Sequence, residues 1–120
     1  MPDSIYEDNP ILKLTFRFSL DTMAYCELLN AEKKFALANQ LFRSATSIGA
    51  NANEAQDAES KADFIHKFKV AAKEVRETKY WLALCRDSGV CPNCDHLTSK
   101  LLEIEKVINK IIGTSKGKGG

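Results

Sequence analysis

Residues 38–55 read ANQLFRSATSIGANANEA, and their apolar positions recur at alternating steps of three and four. This spacing predicts an amphipathic helix with one narrow apolar seam. Most of the seam residues are small, which favours a close approach of neighbouring helices. Gly49 costs about 1 kcal/mol relative to Ala inside a helix, so it is either a close-packing point or a mild kink, and we favour close packing. The seam consists of Ala38, Leu41, Ala45, Ile48, Ala52 and Ala55.

The segment that follows predicts another helix, from about residue 61 to residue 87. Ser60 is a candidate N-cap with Asp63 three residues on, and Ser88-Gly89 is a typical stop signal. Between these limits a second seam again alternates by three and four. Its members are Phe64, Phe68, Ala71, Val75, Thr78, Leu82 and Cys85.

A further helix is predicted after Asp95, a candidate N-cap. Its seam consists of Leu97, Leu101, Ile104, Ile108 and Ile111. From Gly113 onward the chain has no apolar side chain to bury, so we expect a disordered tail at residues 113–120.

The first segment fits two patterns. Leu12, Leu14, Phe16, Phe18 and Leu20 alternate as in a half-buried strand, but a lone strand would have no sheet partner. As a helix capped by Asn9, the segment puts one set of apolar residues on a single face: Ile11, Leu14, Phe18, Tyr25 and Leu28. We therefore predict a helix. Phe16 and Leu20 then lie on a different face, which indicates a subunit contact.

Length and composition limit the chain to one folded domain. Its 120 residues suit a single core, and its 17 basic and 16 acidic residues leave a formal charge of +1, which gives little long-range attraction for a polyanion. We find neither a signal peptide nor a spanning segment, so we expect a cytoplasmic protein with no membrane partner, whose four cysteines mostly remain thiols or bind metal. These patterns predict an all-α four-helix bundle at residues 9–112, after a flexible segment at residues 1–8.

Two stretches of the central helices are specific enough to suggest a family. The first is QLFRSATSIGAN at residues 40–51, with Glu54 three residues on. The second combines DFI at 63–65, AAKE at 71–74, RET at 76–78 and YWL at 80–82. In order and spacing these signature segments resemble the four-helix-bundle family encoded within intervening sequences of bacterial large-subunit (23S) ribosomal RNA genes. The resemblance covers residues 9–112.

This resemblance implies an up-and-down antiparallel bundle and no enzyme, and we expect no cofactor. Structurally known members assemble as five-fold rings, so it also implies a homo-oligomer, a pentamer. A related branch consists of the accessory proteins of diversity-generating retroelements, which engage nucleic acid and a reverse transcriptase through a basic ring surface. The resemblance therefore implies a scaffold that presents a surface to a partner macromolecule, with an RNA- or DNA-binding accessory protein as the alternative.

The polar residues of the signature segments form no catalytic constellation. They include Ser47, Asn51, Glu54, Glu74 and Glu77. A di-iron bundle site needs Glu-x-x-His repeats on two helices, and neither His66 nor His96 follows a glutamate by three. We therefore interpret these side chains as partners in interhelical hydrogen bonds and ion pairs.

A basic stripe is the candidate nucleic-acid site. Lys69, Lys73 and Arg76 follow one another along one helix, and Arg43 is a candidate addition from the preceding helix. Flanking glutamates favour a solvated face with mixed ion pairs instead. Repeated around a ring, the stripe would become a polyvalent surface, which keeps nucleic-acid binding open as the alternative.

The loop Cys91-Pro92-Asn93-Cys94 has the cysteine spacing of a zinc-binding turn. Cys85 or His96 could complete a tetrahedral site, but one such pair is only half a site, and a cysteine on a seam usually acts as a small apolar residue. We therefore expect no metal at Cys85, Cys91, Cys94 and His96.

The pair Tyr80-Trp81 could stack on bases, but we interpret it as part of the core or of a subunit interface. Together with Phe16 and Leu20, these two aromatic residues are the predicted oligomer contacts.

Overall fold

The computed structural model describes residues 8–117, which form four α-helices joined by short connections. These are α1 Pro10–Ala31, α2 Phe35–Ala55, α3 Lys61–Ser88 and α4 Asp95–Gly117. Helices α1 and α3 each pack against both α2 and α4. Because short connections make successive helices antiparallel, this is an up-and-down bundle, and residues 8–117 contain no strand. The predicted fold class is confirmed.

Two of the three predicted N-caps occur where the sequence places them. The Asn9 side chain accepts a hydrogen bond from the backbone N–H of Leu12 at 3.4 Å. The Ser60 hydroxyl accepts one from the N–H of Asp63 at 3.0 Å. These bonds satisfy amide groups that have no partner within the helix. Asp95 lies inside the first turn of α4 and is not its cap.

The helical interpretation of the first segment is confirmed, and its strand alternative is wrong. Four of the five residues predicted for the core side are buried or half-buried: Ile11, Leu14, Phe18 and Tyr25. The fifth, Leu28, is 52% exposed, whereas Leu29 is fully buried. The prediction chose Leu28 instead of its neighbour Leu29, because two threonines that look polar in the sequence help to define the core side of α1.

These threonines are Thr15 and Thr22, both buried in the core. Each hydroxyl donates to a backbone carbonyl one turn earlier, Thr15 to Ile11 and Thr22 to Phe18, at 2.8 Å in both cases. Since a buried hydroxyl is costly only when it lacks a partner, these threonines fit an otherwise apolar interface.

The ends of the last two helices differ in how well the sequence predicts them. Gly89, just after α3, has φ 74°, a left-handed conformation that glycine adopts without a Cβ penalty. In contrast, α4 continues to Gly117, so the predicted disorder is wrong for residues 113–117. Each added residue gains a backbone hydrogen bond, and Lys116 carries a favourable charge for a helix end. The predictions for residues 1–7 and 118–120 lie outside the described residues.

Gly49 lies at a close approach of α1 and α2. It is buried, and a Cβ built there would lie 3.1 Å from Thr15 Oγ1 and 3.2 Å from Thr15 Cβ. Thr15 has little freedom to move away, because it is buried and bonded to its own helix. The close-packing interpretation of Gly49 is therefore confirmed.

We expect Gly49→Ala to destabilise the fold by about 1 to 2 kcal/mol, since overpacking at Thr15 outweighs the helix propensity that alanine adds. Gly113→Ala is the matched control, because Gly113 also lies in a helix and its added Cβ meets nothing within 4 Å. That change should stabilise the fold by up to about 1 kcal/mol. Urea unfolding followed by circular dichroism measures both effects. Equal stabilisation by the two substitutions would contradict the tight α1–α2 contact.

Candidate functional site

A polar network joins α2 to α3 at the centre of the signature segments. The Arg43 guanidinium donates to Gln40 Oε1, from Nε at 3.2 Å and from Nη2 at 2.8 Å. Its Nη2 also pairs with Glu77, and its Nη1 lies 3.7 Å from Glu74 Oε1. The Trp81 indole N–H donates to Glu77 Oε2 at 3.0 Å. One arginine therefore connects two carboxylates of the neighbouring helix.

The network keeps the Glu77 carboxylate ionised. The hydrogen bond from Trp81 is the largest cause that holds the pKa of Glu77 below its ordinary value; burial opposes it, and the hydrogen bond and charge of Arg43 lower the pKa further. Glu74 Oε1 is buried and accepts no hydrogen bond from residues 8–117, so the nearby guanidinium balances its charge through space. Both carboxylates therefore contribute to the contact between α2 and α3.

The remaining polar signature residues are also engaged locally. The Asn51 amide donates to the Ser47 carbonyl at 2.9 Å and to the Ser47 hydroxyl at 3.2 Å. Lys67 Nζ of α3 donates to Glu54 Oε1 of α2 at 3.0 Å. Glu54 thus belongs to a second interhelical ion pair, whereas Ser47 and Asn51 bond within α2.

One interhelical contact, between Ser44 of α2 and Thr78 of α3, was not predicted from the sequence. The Thr78 hydroxyl lies 2.9 Å from the Ser44 hydroxyl and donates to the Glu74 carbonyl at 2.7 Å, and both hydroxyls are fully buried. The sequence could have indicated that Ser44 is buried, because Ser44 lies three residues after Leu41 and four before Ile48, at the spacing of the α2 seam.

The basic stripe is separate from this network. Lys69, Lys73 and Arg76 are exposed along one side of α3, and none of them forms an ion pair within residues 8–117. Tyr80, 59% exposed, extends the same side by one turn. Arg43 does not join the stripe, because the carboxylates of the α2–α3 contact hold it.

The flanking acids do not interrupt the stripe as the sequence suggested. Glu74 and Glu77 pair with Arg43 on the α2 side of α3. On the other side, Lys79 pairs with Glu105 of α4 at 2.7 Å. Lys69, Lys73 and Arg76 between these two sides carry charges of one sign, while Glu105 lines a hollow with Arg76 and Asp87 lines a hollow with Tyr80.

Large apolar side chains at the surface form two groups, apart from Leu28, Phe35 and Leu102, which are exposed as well. The α1 patch comprises Phe16, Leu20, Met23 and Phe42, of which the last three are 42%, 47% and 41% exposed. Steps of four and three align its α1 members, and Met23 and Phe42 line one hollow. The α3 patch comprises Leu37, Tyr80, Leu84 and Val90, which line a hollow between α2 and the end of α3.

Trp81 is less available than its neighbour. It is half-buried and packs against the core, and its ring meets that of Tyr80 edge-on at a centroid distance of 5.1 Å. Of the four predicted oligomer contacts, Tyr80 and Leu20 therefore lie at the surface and Phe16 is half-buried. Trp81 packs against the core and donates to Glu77 of the α2–α3 network.

Three cysteines lie near the α3–α4 connection. Cys85 and Cys94 are buried and Cys91 is half-buried, while the His96 ring meets Tyr25 edge-on at 6.4 Å. Within residues 8–117, no three His, Cys, Asp or Glu side chains are grouped so that they could hold a metal ion. The candidate ligands Cys85, Cys91, Cys94 and His96 are therefore not assembled as a metal site.

The fold and its α2–α3 network define an all-α four-helix-bundle protein. Residues 7–110 match the family of 23S rRNA-intervening sequence proteins, and the chain belongs to that family. No curated protein matches the chain.

A solved structure has the same fold. It is the 1.70 Å crystal structure of a protein of unknown function from the S23 ribosomal protein family of Bacteroides thetaiotaomicron. The two chains share 35% identity with a TM-score of 0.81, over 85% of this chain and 97% of the other. Neither description names a reaction. No helix within residues 8–117 combines the length and apolarity needed to span a bilayer.

We expect Glu77→Gln to change how stability depends on pH. Since the folded chain lowers the pKa of Glu77, its ionised form contributes stability above the ordinary value of 4.5, and this contribution is lost as the pH falls through the folded-state pKa. When the pH falls from about 7 to about 3, the free energy of unfolding should therefore decrease more for the native chain than for Glu77→Gln. The difference should be less than about 1 kcal/mol, because the Arg43–Glu77 pair is partly exposed to solvent.

Urea unfolding at both pH values measures this difference. Glu103→Gln, which changes an exposed carboxylate of α4, is the control and should follow the native profile. Parallel profiles for the native chain and Glu77→Gln would contradict the stabilising role of the network.

Proposed function

We propose that this protein is a non-enzymatic, homo-oligomeric scaffold of the cytoplasm, pentameric as its family resemblance implies, which presents a surface to a partner macromolecule. The observation that carries this proposal is the pair of apolar patches on different sides of the bundle. A side chain such as Leu20 or Leu84 gains free energy when another copy removes it from water.

The two patches differ in composition and position. The α1 patch lies on the α1–α2 side and the α3 patch on the α2–α3 side. When one surface of a protein binds a different surface of the next copy, the contact is heterologous, and repetition closes a ring if the rotation permits. Two unlike patches therefore favour a cyclic assembly over a two-fold dimer.

A charge in either patch should dissociate the oligomer. We expect light scattering at micromolar concentration to give the native chain a mass near five times 13.4 kDa, and Leu20→Lys and Leu84→Lys each a much smaller mass. Leu102→Lys is the matched control, since Leu102 is 44% exposed, similar to Leu20 at 42% and Leu84 at 41%, but belongs to neither patch. It should leave the mass unchanged.

Mixing the two variants tests the heterologous arrangement. The Leu20→Lys chain keeps an intact α3 patch and the Leu84→Lys chain keeps an intact α1 patch, so the mixture should form dimers of twice 13.4 kDa that neither variant forms alone. Circular dichroism checks that each variant is folded. A native chain that remains a 13.4 kDa monomer would refute the assembly.

Nucleic-acid binding is the second candidate. It is favoured by the one-sign stripe of Lys69, Lys73 and Arg76, which has an exposed Tyr80 at its end. Such cations can neutralise backbone phosphates, and the Tyr80 ring can stack on an unpaired base where no other copy covers the α3 patch. In an oligomer, several copies of the stripe would act on one polyanion and raise its apparent affinity.

We expect the triple substitution Lys69→Ala/Lys73→Ala/Arg76→Ala to weaken binding at least tenfold at low salt. It should also flatten the slope of log affinity against log salt, by about two to three for each bound subunit. Fluorescence anisotropy with a fragment of structured ribosomal RNA and with a single-stranded DNA oligonucleotide provides the measurement.

The matched control is Lys106→Ala/Lys110→Ala/Lys116→Ala, which removes three exposed cations of α4. This variant should retain the native affinity. Absence of binding to both probes at low salt, or an equal loss in the two triple variants, would rule out the stripe as a nucleic-acid site.

A further inference from the structure

A groove between α3 and α4 lies on a different side of the bundle from the two apolar patches. On its α3 edge, residues at steps of four and three line two hollows beside α4. They are Ala72, Arg76, Lys79, Ala83 and Arg86. At about 1.5 Å per residue, this row is about 21 Å long. Its α4 edge consists of Thr98, Leu102 and Glu105, and we call the space between the two edges the α3–α4 groove.

The floor of the groove is apolar, and part of its wall is exposed. One hollow, of about 330 Å³, is lined by Leu82 and Leu101 of the core and by Leu102 at its edge. Leu102 is 44% exposed, whereas Leu82 and Leu101 are almost completely buried. The small side chain of Ala83 leaves this hollow open on the α3 side. An apolar side chain of another molecule would gain free energy by leaving water for this space.

The α3 edge of the groove carries an excess of positive charge. Arg76 forms no ion pair within residues 8–117. Lys79 pairs with Glu105 at 2.7 Å, but both side chains are partly exposed, so rearranging this pair costs little. Arg86 donates from Nε and Nη2 to Asp87, which lines the hollow of the α3 patch instead. An acidic partner would therefore find cations beside the apolar floor.

This combination favours one class of partner. The phosphate backbone of a nucleic acid pairs with cations but makes no use of an apolar hollow. A second copy of this chain is the occupant proposed for the α1 and α3 patches. Ala83 and Tyr80 also border the hollow of the α3 patch, whereas Leu102 and Arg76 do not. An amphipathic helix supplies an apolar row at steps of three and four together with charges beside it, which matches the groove.

We propose that the α3–α4 groove binds an acidic amphipathic helix of a partner protein. The apolar side chains of that helix enter the hollow beside Leu102, and its carboxylates lie against Arg76 and Arg86. This inference rests on the scaffold role proposed above and specifies the surface that the scaffold presents. Because Leu102 belongs to neither apolar patch, the assembly leaves it accessible.

A synthetic peptide tests the groove in the full chain. The probe is a fluorescein-labelled peptide of about sixteen residues, long enough as a helix to fill the groove, with leucine at steps of three and four and glutamate elsewhere. We expect its fluorescence anisotropy to rise with the native chain at low salt, and its affinity to fall as salt is added. A peptide of the same composition, with its leucines distributed around the helix, should bind about tenfold more weakly.

One variant tests the apolar part of the contact. Leu102→Gln leaves the charge unchanged and should weaken peptide binding about tenfold, because it removes an apolar side chain from the contact. Leu28→Gln is the matched control, since Leu28 is 52% exposed and lines a separate hollow between α1 and the start of α4. It should retain the native affinity. Circular dichroism checks that both variants are folded.

A second variant tests the charges. Arg76→Ala/Arg86→Ala should weaken peptide binding about tenfold at low salt and reduce its salt dependence. Its matched control is Lys110→Ala/Lys116→Ala, which removes two exposed cations near the end of α4 and should bind as the native chain does.

The outcomes separate this proposal from the others. Absence of peptide binding at low salt, or equal losses in Leu102→Gln and Leu28→Gln, would overturn it. Binding that depends on Arg76 and Arg86 but not on Leu102 would indicate a surface for polyanions such as nucleic acid, and would overturn it as well. The peptide reports on the groove whether or not the chain assembles, so its result is independent of the mass given by light scattering.

Discussion

The close approach of α2 to its neighbours is the constraint on which the rest of the bundle depends. The buried side of α2 consists largely of small residues, and its one buried glycine admits Thr15 of α1 at a distance that leaves little room for an added Cβ. On the opposite side, the Ser44 and Thr78 hydroxyls meet across the α2–α3 contact. Because polar groups buried in a core must find their partners, this hydroxyl pair favours one register of α3 along α2.

Helix α3 has two sides with different chemical roles. One side faces α2, where Arg43 engages Glu74 and Glu77. The other faces solvent, with three cations and Tyr80. Because Arg43 neutralises the acids on the inner side, the outer side keeps a positive charge that a nearly neutral composition does not reveal. The local field of a protein can thus differ from its net charge.

The sequence predicted most of the fold, because seams with steps of three and four specify which side of a helix is buried. It located Gly49, the Asn9 and Ser60 caps, and the end of α3 at Gly89. It missed Leu29, because buried threonines on α1 look polar in a sequence, and it missed the last turns of α4, where backbone hydrogen bonds outweigh a polar composition. Pairings across helices, such as Arg43 with Glu77, depend on a register that spacing along one chain does not encode.

The ion-pair network also indicates what proteins with the same signature segments have in common. Gln40, Arg43, Glu77 and Trp81 contact one another, so substitution of one changes the environment of the others. Selection on such a group preserves the way two helices dock, and sequences that have diverged elsewhere should keep it for that reason alone. Another chain with the same signature segments is therefore expected to pack its helices α2 and α3 in the same way. What distinguishes one member's biology from another's should be sought outside this group of residues, for example on the outward side of α3 and in the α3–α4 connection.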